Sequence, residues 1–229
     1  MKKMLKSSLS KIMILLMIII IIILPKKDHI SNVTVTKTAN KETITEDNKD
    51  IIFYLEFANN DQYHLIPIVY TDNADYYMLH DLNGNYDTMG TCFMEKEIVD
   101  ITTANNYIIN GHSSLTKDRN FTFLKNYCDP DYFNTNTTFT LIDLNEDRFE
   151  YQIIGIASFD LTNEDTYLDW YSSYFKDYYE FNTIMNNTLP YFINHIEGFS
   201  YHNQQLITLI TCDMNKEDTR FVLFAYRKE

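Results

Sequence analysis

Two runs near the C-terminal end carry the clearest hydrophobic pattern in the chain. Residues 206–212 (Leu-Ile-Thr-Leu-Ile-Thr-Cys) and 220–226 (Arg-Phe-Val-Leu-Phe-Ala-Tyr) are rich in β-branched and aromatic side chains, and the polar segment 213–219 separates them. That arrangement predicts an antiparallel hairpin. The same reading places strands at residues 63–70, 90–94, 107–110, 138–144 and 149–159, whereas residues 51–59 fit a short helix or a strand equally well. Pro67 confines the 63–70 strand to an edge or a bulge, because proline has no N–H for the ladder. Asn83-Gly84 and Asn145-Glu146-Asp147 mark turns. Residues 121–133, interrupted by Cys128-Asp129-Pro130, predict a short helix and its exit. Between residues 161 and 196 the apolar positions Leu168, Tyr171, Phe175, Tyr178 and Tyr179 recur at helical offsets, predicting one or two helices that end near Pro190 and again near Gly198. This aromatic stripe reads as core packing. About eight strands, one helical insertion before the last two and no alternating βα rhythm indicate a mainly antiparallel β-barrel or sandwich with helical additions.

The patterning changes at the N-terminus. An unbroken apolar run covers residues 12–24, and residues 1–27 hold six lysines and no acid. As a helix the run rises only about 20 Å against a hydrocarbon layer of about 30 Å, the dimension of a signal-peptide core. Pro25-Lys26-Lys27-Asp28 follows it, however, and not a small-x-small cleavage site. Snorkelling lysines and local thinning absorb the mismatch. The expectation is a cytoplasmic N-terminus at residues 1–11, an uncleaved membrane signal anchor at 12–24, a flexible stalk at 25–50 and one folded domain at 51–229. The protein is then single-pass in the plasma membrane, with its domain outside the cell.

Composition narrows the chemistry. The 229 residues carry 19 basic and 32 acidic side chains, and removing the six N-terminal lysines leaves a formal charge of −19 on residues 28–229. Nucleic acid is excluded as a partner, since phosphate contacts need a basic patch. Three cysteines are too few, and odd in number, for a disulfide framework. No zinc-ligand spacing and no Gly-rich phosphate loop occurs, so neither a metal nor a cofactor is expected.

The hairpin suggests a reactive thiol. Cys212 closes its first run and Arg220 opens its second, so direct pairing sets thiol and guanidinium about 5 Å apart. A neighbouring cation favours the thiolate, and Asp213 next to the cysteine opposes it. Taken alone, Cys212 fits a buried core cysteine equally well. A thiol nucleophile needs a proton carrier, usually imidazole, and a positive group at the developing oxyanion. Among six histidines, only His112 directly follows a strand with a glycine before it, at a barrel rim; His80 is its main competitor. A lone Gly-His pair is also compatible with a structural role.

Taken together, Asn110-Gly111-His112 after a strand, Thr208-Leu209-Ile210-Thr211-Cys212 at a strand end and Arg220 opening the last strand resemble the His, Thr-Leu-x-Thr-Cys and Arg signatures of sortases. The helical segment before the cysteine strand, and Asp75-Tyr76-Tyr77-Met78-Leu79-His80-Asp81 leading to Gly90-Thr91-Cys92-Phe93-Met94, are similar to class B members. The resemblance implies an eight-stranded sortase-type β-barrel with short N-terminal helices and a helical insertion before the last two strands. It implies a cysteine transpeptidase of a Gram-positive bacterium. Cys212 would cleave a C-terminal sorting signal after Thr through a thioacyl-enzyme, His112 would act as general acid and base, and Arg220 would bind the substrate backbone or the oxyanion. The implied partners are secreted proteins bearing that signal, a peptidoglycan precursor amine and the membrane through the N-terminal helix. Met78, Asn110, Ile210 and Asp213 would line the substrate groove. Leu79 competes with Met78 for its place, and the Asn expected just upstream corresponds to Asn73 or is lost to Ala74. The chain departs from many class B members in having Asn110 where Tyr is common and Ile210 where Ser is common. The competing readings are a cell-wall cysteine peptidase that only hydrolyses, and a non-catalytic surface module on the same barrel.

Overall fold

A computed structural model describes residues 48–58, 63–162 and 171–229. The first strand, β1 (Ile51–Ala58), settles the helix-or-strand ambiguity, because Ile51, Phe53, Leu55 and Phe57 are buried in strict alternation. Apolar Ile52 and Tyr54 at the intervening positions had masked that period of two. The chain continues through β2 (Tyr63–Thr71), a short helix α1 (Ala74–Met78), β3 (Cys92–Glu95) and β4 (Asn106–Asn110). A 3-10 turn (Thr122–Cys128) and α2 (Pro130–Thr135) follow, then β5 (Thr138–Asp143) and the long β6 (Arg148–Asp160). Helix α3 (Tyr178–Thr188), a second 3-10 turn (Leu189–Tyr191), β7 (Phe192–His195), β8 (Leu206–Cys212) and β9 (Thr219–Arg227) complete the described order.

Strands β5-β1-β2-β3-β4-β8-β9-β6 form one sheet that closes through a β5–β6 pairing, which makes an eight-stranded barrel with β7 added on β6. Closure removes the exposed edges that an open sheet would present. Most pairs are antiparallel, but β2–β3 and β4–β8 are parallel. Pro67 lies just outside the part of β2 that β3 covers, which begins at Ile68. The proline is therefore tolerated without an edge strand. Along β6, β5 pairs with residues 148–152 and β7 takes over at Gly155, where an added Cβ would sit 2.6 Å from the Phe192 ring.

Leu55, Ile68, Met94, Ile108, Leu209 and Leu223 belong to the main core. A smaller cluster of Ile51, Val69, Tyr77 and Phe93 lies under α1. It ties that helix to β2 and β3.

The helical expectation for residues 161–196 is narrowed. Residues 163–170 lie outside the described part, residues 171–177 are irregular, and the helix covers only Tyr178–Thr188. Of the aromatic stripe, Phe175 is buried while Tyr178 and Tyr179 are exposed. Leu168 lies outside the described residues. The short β7 after Pro190 was not anticipated. The short helices expected ahead of the barrel also fall outside the described residues.

The plasma-membrane, single-pass location is corrected. Among the described residues no helix is long and apolar enough to cross a membrane; the longest, α3, has 11 residues and carries Glu180 and three asparagines. The 12–24 run assigned as the anchor, and residues 1–11 and 25–47 on either side of it, lie outside the described residues.

Candidate active site

Three neighbouring strands bring the candidate residues into a row. β4 and β8 run parallel with Asn110 opposite Ile210, and the Gly111 amide continues the ladder by donating to the Ile210 carbonyl at 3.0 Å. His112 and Cys212 each lie two residues beyond that last pair, at the same level of the parallel register. On the other side β9 pairs antiparallel, with Cys212 directly opposite Arg220. Directly opposed residues share a face, with Cβ atoms about 5 Å apart. The Ser113 hydroxyl donates to the Cys212 carbonyl at 2.6 Å, fastening the segment after β4 to the end of β8.

Gly111 makes the approach possible. A Cβ there would lie 2.6 Å from both the Cys92 sulfur and the Phe121 ring, closer than real Cβ atoms come. The Phe121 amide donates to the His112 carbonyl at 3.1 Å. The segment carrying the imidazole is thus packed from beneath and held from the side.

The imidazole is half-buried, and its Nε2 lies 2.9 Å from the Met78 carbonyl. Burial is the main reason that its pKa lies below the ordinary histidine value of 6.5. The Met78 hydrogen bond works against that, Arg220 pushes in the same direction as burial, and Asp87 opposes it. Burial alone would raise Asp87, but the Met89 amide and Arg119 outweigh it, so its carboxyl sits below the usual value. Arg119 pairs with Asp87 at 2.6 Å. Arg220 is half-buried and donates to the Thr219 carbonyl at 3.1 Å.

The other thiols are differently placed. Cys92 is 1 % exposed, and burial drives its thiol far above the ordinary value. Cys128 is pushed up to about 11, by burial first and then by Asp213. All three cysteines are free. Cys212, half-buried at a strand end, borders a shallow surface hollow whose wall includes Ser113, Leu115, Thr211 and Met214.

The remaining sequence candidates are distributed around this row. Asn110 and Ile210 face each other one pair back from His112 and Cys212; Asn110 is half-buried and Ile210 is only 6 % exposed. The Asp213 carboxylate accepts from the Asn215 amide at 2.9 Å and shapes the β8–β9 loop. The Met78 side chain packs on the smaller core cluster, and its carbonyl, not its side chain, meets His112. Asn73 caps α1 by accepting from the Tyr76 amide, and Ala74 is the first residue of that helix. His80 is engaged locally: its Nδ1 lies 2.8 Å from the Tyr76 carbonyl and its ring stacks on Tyr76. Sequence reasoning missed the Met78 carbonyl, Ser113 and the Asp87–Arg119 pair. A backbone carbonyl leaves no mark in the residue pattern, and Ser113 read only as the end of a strand. Among the described residues no group of three or more His, Cys, Asp or Glu side chains could hold a metal ion.

No protein-family model and no curated protein matches the chain. Solved structures do. The chain is similar to sortase B of Clostridium perfringens, with TM-score 0.68 and 18% identity over 80% of this chain and 96% of that one. A Staphylococcus aureus sortase B–substrate complex matches with TM-score 0.64 and 16% identity, covering 80% of this chain and 81% of that one. A Streptococcus pyogenes class B sortase involved in pilus biogenesis matches with TM-score 0.65 and 17% identity, covering 79% and 94%. The fold of this chain is that of the class B sortases.

Proposed function

We propose that this protein, a barrel with the class B sortase fold, is a cysteine transpeptidase with residues 51–229 as its catalytic domain. The observation that supports the reading is the pairing of Cys212 with Arg220 across β8 and β9, with His112 just past the end of the neighbouring parallel strand β4. Cys212 attacks the carbonyl that follows Thr in the C-terminal sorting signal of a secreted protein. A carbon–sulfur bond forms, the peptide carbon–nitrogen bond breaks, and His112 gives its proton to the departing amine. A peptidoglycan precursor amine then attacks the thioester, His112 takes up its proton, and the Cys212 thiolate leaves. Arg220 is a fixed cation for the oxyanion of both tetrahedral intermediates or for the substrate backbone. Met78, Asn110, Ile210 and Asp213 border the groove that receives the signal. Ile210 and Asn110, one pair back from the reacting groups, are where its peptide preference departs from relatives with Ser and Tyr at those places.

Incubating the protein with a Thr-containing sorting peptide and an amine acceptor tests the reading. The expected product is the new amide, absent with Cys212→Ala and with His112→Ala. Hydrolysed peptide alone, in the presence of a wall-precursor amine, would make the protein a peptidase.

A further inference from the structure

The ring of His112 can be assigned further. Its Nε2 meets a backbone carbonyl, that of Met78, at 2.9 Å, and a carbonyl can only accept. Nε2 therefore keeps its hydrogen whether the ring is neutral or charged. Nδ1 has no hydrogen-bond partner among the described residues. We propose that Nδ1 is the nitrogen of His112 that exchanges the catalytic proton, and that Tyr77 and Gly90 are positioning residues that hold the Met78 carbonyl against Nε2. The proposal rests on the transpeptidase reading for its use of the proton, but not for the state of the ring.

The carbonyl is held from both ends of its turn. Gly90 has φ +53, and a Cβ there would lie 2.5 Å from the Met78 oxygen and 2.3 Å from the Tyr77 oxygen. Only glycine lets this backbone press so closely at that angle. Next to it the Thr91 amide donates to the Tyr77 carbonyl at 2.9 Å. The Tyr77 ring is buried, and its hydroxyl donates to the Asp50 carboxylate at 2.6 Å. Asn48 donates both to that hydroxyl and to the Leu82 carbonyl, at 3.2 and 3.0 Å. Burial, and then the hydrogen bond to Asp50, push the Tyr77 phenol up to about 12, so it stays a donor. The turn carrying Met78 is pinned to the segment entering β3 by Gly90 and Thr91 and to the segment entering β1 by Tyr77. Asn120 adds a strap, donating to the Met89 carbonyl at 2.5 Å. The charged groups that act on the imidazole are Arg220 from β9 and Asp87 from the loop between α1 and β3.

The experiment is nitrogen-15 NMR of the histidine rings in the full chain, wild type, Gly90→Ala and Tyr77→Phe, with steady-state kinetics beside it. Wild-type His112, when neutral, is expected to show the Nε2–H tautomer alone. In Gly90→Ala the ring should populate both tautomers and its titration midpoint should fall further, since the Met78 contact raises it. That variant should lose kcat about 10²-fold with KM little changed, as misplacement of a proton carrier does. Tyr77→Phe keeps the packed ring and removes only the hydroxyl; it should shift the midpoint the same way by less, with kcat down about threefold to tenfold. An Nδ1–H or mixed tautomer in the wild type would overturn the proposal, and so would an unmoved His112 titration in both variants. If the wild-type ring is locked as stated yet no amide product forms, the transpeptidase reading fails and the ring assignment stands.

Discussion

Cys212 differs from the two other thiols of the chain by its setting. Burial holds Cys92 and Cys128 in the protonated, unreactive form, whereas Cys212 is half-buried at the open end of β8, paired directly opposite Arg220. Arg220 also acts on the imidazole. Its charge is one of the causes that lower His112, so replacing Arg220 by Ala should raise the His112 titration midpoint toward 6.5 while reducing kcat/KM about 10²- to 10³-fold. Ring titration by NMR and peptide-cleavage kinetics on the same variant check both effects. An unmoved midpoint would separate Arg220 from the imidazole. Ser113 acts on the backbone: Ser113→Ala removes its bond to the Cys212 carbonyl and should cost about 0.5–1.5 kcal/mol of stability in urea unfolding.

At the scale of elements, the β8–β9 hairpin was readable because both strands are nearly continuous apolar runs, and a polar loop fixes where they turn. The Cys212–Arg220 pairing followed from that register alone. The His112 position needed more, since only the parallel β4–β8 pairing, invisible in a linear pattern, sets residues 110 and 210 opposite each other and brings the segment that carries His112 to the Cys212 end of the sheet. β7 escaped notice because four residues that are half-buried or exposed give no periodic signal. Gly155 leaves room for it, since a Cβ there would crowd the Phe192 ring and the Asn194 carbonyl. The irregular residues 171–177 were misread as helix because Tyr171 and Phe175 both reach the core, and their spacing of four imitates a helical stripe. Gly111 tests the element-scale account. Gly111→Ala forces its Cβ into the Cys92 sulfur and the Phe121 ring, and overpacking of that kind should cost about 1–3 kcal/mol and move His112 out of the row. Urea unfolding and the ring titration report the two consequences.

For the whole molecule, mild acid should weaken the fold through its buried histidines. His64 stacks on Phe123 with centroids 4.2 Å apart, and its Nε2 is buried without a hydrogen-bond partner among the described residues. Burial lowers its pKa, partly offset by Asp118, and His112 is lowered as well. The unfolded chain therefore binds these protons more tightly. The histidine contribution to stability is complete above pH 6.5 and is lost as pH falls through the folded values. Urea unfolding at pH 7.5 and pH 5 should show the loss, and His64→Phe, which keeps the stacked ring, should reduce it. On the proposed function, acyl transfer passes through Cys212. The most direct measurement is mass spectrometry of the protein quenched during reaction with a Thr-containing sorting peptide. An acyl adduct on the tryptic peptide containing Cys212, discharged on adding an amine with formation of the new amide, is the predicted result; an adduct on Cys92 or Cys128, or none on any cysteine while the peptide is consumed, would contradict it.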